Sequence, residues 1–449
     1  MEKIRQLWQY FTQHLSGTID GRVLGLFRIL YSLVMLVMVV RYMQIDLVKN
    51  MFVLPSVNFK YDGFRWLRPL PELWMDVILT GMAVWAILMA LGVWFRWSAR
   101  LFALSLSYFL LMDTSIYNNH LYLYALLALM LSFTDADKFL SIGSKTNKST
   151  GLPRWQQWIF QAQFALVYFY AGVVKVKYDW LVLQEPVRTL VKGLPPGSVF
   201  GKVFGSELGI AFLNYGGVVL DLAAPLLLWY KPLRKWAIYV FVFFHLSNTQ
   251  LFDDIGTFPY AMIASLIVFY EFGELAWLRA LLGDVQKAGN KKAVELVAAT
   301  SSIPKGWYLF FIGQLLMPLR GFFLPNDMDW TMIGQRFSWR VKMDTRLITE
   351  LDVEAHLLTG QVMKVDVTSF INTHQVRTLA YDPRAARDLA IGVRKAVLEQ
   401  QGVPCKVKAK IKVSRNGRPA QYFVDPGIDL TSVKYSPWEK LSWVNALEE

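Results

Sequence analysis

Apolar runs of up to about 20 residues, enough to cross the roughly 30 Å hydrocarbon core of a bilayer, recur along the first three quarters of the chain. They occupy residues 25–40, 73–95, 101–112, 120–133, 158–174, 210–230, 236–244, 258–272 and 307–319, several needing their flanks to complete a span. Buried in lipid, such runs satisfy their backbone groups as helices. Eight or nine transmembrane helices are therefore expected.

Composition agrees: 54% of the 449 residues are hydrophobic and only 18% are charged, too apolar for a pair of soluble domains. A net charge of +13 raises the question of nucleic acid. The lysines and arginines lie mainly in short loops between apolar runs, however, where the positive-inside effect places them, and the bilayer is the expected partner. The start, "MEKIRQLWQYFTQHLSGTIDGR", has no central apolar region and no small-residue cleavage site, so no removable signal peptide is expected. With Lys3 and Arg5 inside, loops carrying Arg96, Lys138, Arg154, Lys231 and Arg279 share the cytoplasmic side. Nine spans then leave the C-terminal domain extracytoplasmic.

Residues 1–324 thus read as a membrane domain and residues 325–449 as a soluble one. After Pro325 the pattern changes to short alternating segments. "RFSWRVKM" and "QVMKVDV" read as strands, and "DPRAARDLAIGVRKAVLEQQ" as an amphipathic helix between Asp382 and Gly402. "KVKAKIKV" reads as an edge strand guarded by lysines, turning at Asn416-Gly417 into "QYFVD". The fold class expected is a polytopic α-helical domain followed by a small α+β domain.

Ionisable side chains at membrane depth cost about 3 kcal/mol or more, so those that persist usually face a bundle interior. Arg28 interrupts the first span, "YNNHLYLY" opens the fourth with Asn119 and His120, and Tyr124 lies one turn on from His120. Lys175 and Lys177 close the fifth run in "YFYAGVVKVKYDW", and "FFHLSNTQLF" places His245, Asn248 and Gln250 where the seventh ends. Alternating topology brings His120, Lys175 and His245 towards one membrane face. From residue type alone each has a plainer reading: lysines at helix ends snorkel to the interface, histidines sit satisfied in a bundle, and Arg28 ties helices together. Lys177, next to Asp179, is read as an anchor of that kind.

One cysteine, Cys405, and five scattered histidines give no disulfide and no ligand set for a metal. There is no phosphate-binding loop, nucleophile elbow or HExxH motif.

The strings "YNNHLYLYALLALMLSFTDAD", "YFYAGVVKVKYDWL", "FHLSNTQLFDDIGTFPYAMIA", "RFSWR" and "FVDPGIDL…SPWEKLSW" together resemble the vitamin K-dependent gamma-glutamyl carboxylase family and its bacterial homologues, which carry the HTTM domain. The resemblance runs nearly end to end. It implies an enzyme that oxidises reduced vitamin K (menaquinol or phylloquinol) with O2 to the epoxide and couples this to adding CO2 at the γ-carbon of peptidyl glutamate. The family's base lysine falls on Lys175, and its neighbour on Val174. His120 is implied as a second catalytic group, and Asn119, His245, Asn248 and Tyr124 as cofactor-binding. Gln335, Trp339 and Arg346 fall in the region implied to bind substrate, although Gln335 stands where the family has His or Tyr, and Arg346 and Arg340 also read as solvated strand charges.

A lysine acting as base must lose its proton, and desolvation favours that; Val173, Val174 and Val176 are expected to supply it. Tyr122, Tyr124, Tyr168 and Phe169 suit the walls of a flat quinone site, or equally bundle packing. No metal is expected. The alternatives from other classes are a quinone- or lipid-binding membrane protein and an epoxidase without carboxylation.

Overall fold

A computed structural model describes residues 17–142, 151–195, 197–252, 255–282, 303–341 and 343–448. The expectations placed on residues 1–16, on most of the polar loop 144–151 and on the loop 283–302 lie outside the described residues.

The first three quarters form a helical bundle: α1 (Arg22–Gln44), α2 (Glu72–Leu91), α3 (Phe95–Met112), α4 (Asn119–Leu131), α5 (Trp155–Val173), α6 (Glu207–Trp229), α7 (Lys231–Leu251), α8 (Phe258–Ser265) and α9 (Lys305–Leu316). Three of them, α1, α2 and α6, are long and apolar enough to cross a membrane, and α4 and the run Phe258–Phe269 are shorter apolar helices. The eight or nine spans expected are not all recovered by that test, for visible reasons. The helices α4 and α9 have 13 and 12 residues, α5 carries Gln156, Gln157, Gln161 and Gln163, and α7 opens on Lys231, Arg234 and Lys235.

Local chemistry sets the helix ends. Asn118 caps α4, its side chain accepting the Leu121 N–H at 2.8 Å, and Ser206 caps α6 through the Gly209 N–H. Gly92 ends α2 in the left-handed region at φ 72°. Small residues then govern how closely helices pack. A Cβ on Gly172 of α5 would lie 2.7 Å from Leu222 of α6, so glycine here is what lets α6 close on the end of α5.

The C-terminal part, the domain expected to be soluble, contains a four-stranded antiparallel sheet in the order β4-β3-β5-β6, where β3 is Arg346–Leu357, β4 Val362–Lys364, β5 Cys405–Arg415 and β6 Gln421–Tyr422; β1 (Thr18–Ile19) and β2 (Leu152–Pro153) make a separate two-residue ladder. The amphipathic helix is present as α10 (Pro383–Gln401), with Asp382 accepting the Arg384 N–H and Gly402 at φ 69° closing it. It packs on one sheet face, and Val393 is buried in the same core as Val407 and Ile411; each such side chain contributes roughly 1.5–3 kcal/mol. The turn falls on Asn416 and Gly417, at φ 52° and 72°.

Two strand expectations change. The lysine-bearing strand is not an edge: β5 lies between β3 and β6, and Lys406, Lys408, Lys410 and Lys412 stand opposite His356, Glu354, Asp352 and Glu350. The last three of these are opposite charges paired across strands, which stabilise that outer face. The described residues of "RFSWRVKM" form no strand. Phe337 and Trp339 adopt φ 61° and 56°, because their rings turn towards the bundle, Trp339 stacking on Tyr122 at 4.8 Å and Phe337 edge-on to Tyr117 at 5.0 Å.

The two halves interlock at one end of the bundle. Val57 and Phe59, from the α1–α2 loop, belong to the soluble core. Asp113 at the end of α3 accepts from the Phe59 N–H at 3.0 Å and from Gln375 Nε2 at 2.9 Å. At the opposite end Arg28, fully buried, donates to the Leu140 carbonyl at 2.5 Å; it ties α1 to the segment following α4.

Candidate functional site

Lys175 emerges two residues past α5, where the backbone has left the helix but the side chain still faces inward. It is 8% exposed, and its ammonium donates to Asp221 Oδ2 of α6 at 2.5 Å and lies 4.9 Å from the centre of the Trp180 ring. The close approach at Gly172 brings Asp221 within reach. Proline at 225 has no N–H to give the Asp221 carbonyl, so α6 lacks one helical bond at that residue.

Lys175 and Asp221 line a cavity of about 100 Å³ between α5, α6, α7 and α8. His245, Ser247 and Asn248 of α7 share the cavity, with Tyr168, Phe244, Phe252 and Phe258 forming its aromatic walls. Apolar surface dominates, with a few convergent polar groups, as in small-molecule sites. Tyr168 Oη lies 2.7 Å from His245 Nε2, while His245 Nδ1 is buried without a hydrogen-bond partner. Val341, from the segment entering the soluble domain, closes one side.

The other residues singled out in the sequence fall around this centre in different ways. His120 packs one layer behind, its ring 5.1 Å from that of Phe258. Tyr124 is fully buried and pairs with Thr257 Oγ1 at 3.3 Å. Asn119 donates to the Arg340 carbonyl at 2.7 Å and accepts from Tyr117 Oη, so it holds α4 to the chain entering the soluble domain rather than facing the cavity. Gln335 donates to the Met328 carbonyl at 2.6 Å, and Trp339 is buried on Tyr122.

Arg346 is not placed to take a substrate carboxylate. Its side chain is wholly buried, bonding Asp344 through Nε and Nη2, the Trp330 and Ala380 carbonyls through Nη1 and the Asp329 carbonyl through Nη2. Nor is Arg340 a solvated charge: it pairs with Asp329.

Two further expectations are corrected. Val173 and Val176 face outward, 39% and 55% exposed, and it is Trp180 and the cavity wall that cover the Lys175 side chain. Lys177 does not snorkel, nor does it pair with Asp179. Its ammonium lies 2.9 Å from Asp329 of the soluble domain, while Asp179 accepts from Arg418 Nη2 at 2.7 Å and Asn416 Nδ2 at 2.8 Å and lies 3.3 Å from Arg415. The β5–β6 turn thus clasps the chain four residues beyond Lys175. Burial alone would raise the Asp179 carboxyl; Arg418 and Arg415 hold it below the usual aspartate value.

Asp221 is the cavity residue that sequence reasoning missed. It is the one acidic residue in the run 210–230, and the expense of an ionisable group at that depth was signal enough to find it.

Comparison with known families gives two matches that together cover most of the chain. The family model described as the HTTM domain matches residues 17–273, which contain Lys175, Asp221, His245 and Asn248. The model for the lumenal domain of vitamin K-dependent gamma-carboxylase matches residues 301–449. No solved structure matches the chain significantly. With its helical part and its C-terminal part both matched, in that order, the chain belongs to the vitamin K-dependent gamma-glutamyl carboxylase family.

Proposed function

We propose that this protein is a membrane enzyme that oxidises reduced vitamin K with O2 to the epoxide and adds CO2 to the γ-carbon of a glutamate in a peptide or protein. The observation that carries this reading is Lys175, buried and bonded to Asp221 in an aromatic-walled cavity shared with His245. Eight or nine helices cross the bilayer in this reading, with the N-terminus cytoplasmic and the soluble domain outside. The interlock supports it: the α1–α2 loop, the end of α3 and the chain after α5 all meet the soluble domain, whereas Arg28, Arg96 and Lys231 lie towards the other end, paired near Leu140, Asp135 and Glu271.

The residues present fit a flat aromatic diol. Phe244, Phe252 and Phe258 suit its faces, Lys175 and Asp221 lie where one hydroxyl would meet them, and the unpartnered His245 Nδ1 suits an oxygen. Reduced vitamin K, when bound, supplies the reducing equivalents whose oxidation by O2 drives loss of a glutamate γ-proton and addition of CO2. The protein's own part begins with Lys175 Nζ, which takes a hydroxyl proton. For that its lone pair must be free, and Asp221 Oδ2 holds the proton that Nζ gives up across their 2.5 Å bond. At rest the two are paired as ammonium and carboxylate, and this transfer to Asp221 comes before Nζ takes the hydroxyl proton. The aromatic walls exclude water, which protects a proton abstraction from bulk protonation. Peptidyl glutamate reaches the cavity from the side of Val341 and the soluble domain.

The test incubates the purified full chain with reduced vitamin K, O2, labelled bicarbonate and a glutamate peptide. Epoxide and labelled peptide are expected, and Lys175→Ala abolishes both. Epoxide without label leaves an oxygenase; neither product leaves a quinone- or lipid-binding protein.

A further inference from the structure

We infer that Tyr168 is a positioning residue that fixes His245 as a hydrogen-bond donor through Nδ1, aimed at an oxygen of the molecule held in the Lys175 cavity. The identity of that molecule, a hydroxyaromatic ring, rests on the function proposed above. The tautomer does not.

Tyr168 lies two helical turns before Lys175, on the same inward side of α5, and lines the same cavity. Its hydroxyl is 2.7 Å from His245 Nε2, and the two side chains belong to residues only 3% and 2% exposed. The His245 ring is walled by aromatics: Phe244 lies at 5.2 Å, Phe258 is perpendicular at 6.4 Å, and Phe241 packs against both His245 and Tyr168. Flipping the ring would put Cε1 where Nε2 now meets Tyr168 Oη at 2.7 Å, so this hydrogen bond fixes the ring's orientation.

Counting protons then assigns the tautomer. A phenol has one O–H to give, and a neutral imidazole has one N–H and one lone pair. If Tyr168 donates to Nε2, the imidazole proton sits on Nδ1 and one buried donor awaits a partner. If Nε2 donates instead, the Tyr168 O–H and the Nδ1 lone pair are both left buried and unpaired. Orphaned buried polar groups are costly, so the arrangement with fewer of them prevails.

The chemical consequence is a division of labour. The Nε2 lone pair is occupied by Tyr168, so His245 is not a base. Its Nδ1–H is an acidic donor in apolar surroundings, suited to an oxygen that gains negative charge as Lys175 takes its proton. Asn248, one turn further along α7, lines the same wall. The Asp221 carboxylate is already bonded to Lys175. The orphaned donor therefore marks where a ligand oxygen belongs.

Nitrogen-15 spectra of the full chain in nanodiscs, labelled at histidine, test this directly; the His245 signals are identified by their disappearance in His245→Asn. A protonated Nδ1 with an unprotonated Nε2 is expected, and Tyr168→Phe is expected to move population towards the Nε2–H form. An Nε2–H tautomer in the wild type, or no change in Tyr168→Phe, overturns the assignment. With 2-methyl-1,4-naphthohydroquinone and O2, Tyr168→Phe lowers kcat about tenfold while KM moves little. His245→Asn, whose amide N–H takes the place of Nδ1–H, keeps about a tenth or more of turnover, whereas His245→Gln loses about 100-fold. Equal losses in the two overturn the donor role. Should the wild type oxidise no hydroquinone, the proposed function falls while the spectra still decide the tautomer.

Discussion

The Lys175 ammonium and the Asp221 carboxylate meet at 2.5 Å across the α5–α6 seam, both buried. Removing one member of such a pair strands the other charge, which costs about 3–5 kcal/mol, whereas removing both costs far less. Asp221→Ala is therefore expected to lower thermal stability in detergent more than the double variant Lys175→Ala/Asp221→Ala does. Both are expected to lose hydroquinone oxidation by about 10²–10⁴-fold, the usual contribution of a positioned base. A double variant no more stable than Asp221→Ala would mean that the pair does not act as a unit.

What the sequence made legible follows from where polarity is expensive. Lys175, His245 and Asn248 interrupt or close apolar runs, and all three line one cavity. Asn119 stood out for the same reason, yet its amide is used on backbone at the domain junction. Residue type cannot separate these outcomes, because both satisfy a buried polar group. In the soluble domain α10 was readable from Asp382 and Gly402, whose capping chemistry is local. The segment holding Phe337 and Trp339 was not, because its alternation reflects rings drawn to Tyr117 and Tyr122 of α4 rather than strand pairing. The clasp by Asn416 and Arg418 was invisible too, since it joins residues more than 230 positions apart.

That clasp is expected to be acid-sensitive. Asp179 and Asp329 are both held below the usual aspartate value, burial being outweighed by Arg418 and Arg415 in one case and by Arg340 and Lys177 in the other. Carboxyls with depressed folded values add stability that is fully present above about pH 4 and is lost as pH falls through the folded values. Protection of the amides in the turn at residues 415–418, relative to their intrinsic exchange rates, is expected to fall selectively on acidification below pH 4. Arg418→Gln is expected to lower it already at neutral pH.

Arg346 is expected to behave as a structural pin. Its guanidinium joins β3 to the Trp330, Ala380 and Asp329 carbonyls and to Asp344, and faces the Trp330 and Tyr381 rings. Lysine cannot reproduce that fork, so Arg346→Lys is expected to destabilise the soluble domain by about 2–4 kcal/mol. KM for a glutamate peptide, measured on the folded fraction, is expected to stay within about threefold of wild type, well short of the loss of a charge-assisted bond. A KM raised tenfold or more without loss of stability would restore Arg346 to the substrate.

Asp388 of α10 carries the opposite sign. Burial pushes its carboxyl up to about 6, with Asp382 adding to the effect and Arg65 and Arg387 opposing it. Below the usual aspartate value both folded and unfolded chains hold this proton, and between there and about pH 6 only the folded chain does. Raising pH through that window therefore removes stability, on the order of 2–3 kcal/mol for two pH units. Asparagine keeps the shape without the charge. Asp388→Asn is accordingly expected to be more stable than wild type at pH 7.5 by about 1–3 kcal/mol, with the advantage vanishing near pH 4. Denaturant unfolding of the full chain, followed through the soluble domain at both pH values, reads the difference. An advantage that is equal at both would mean that packing rather than charge governs this position.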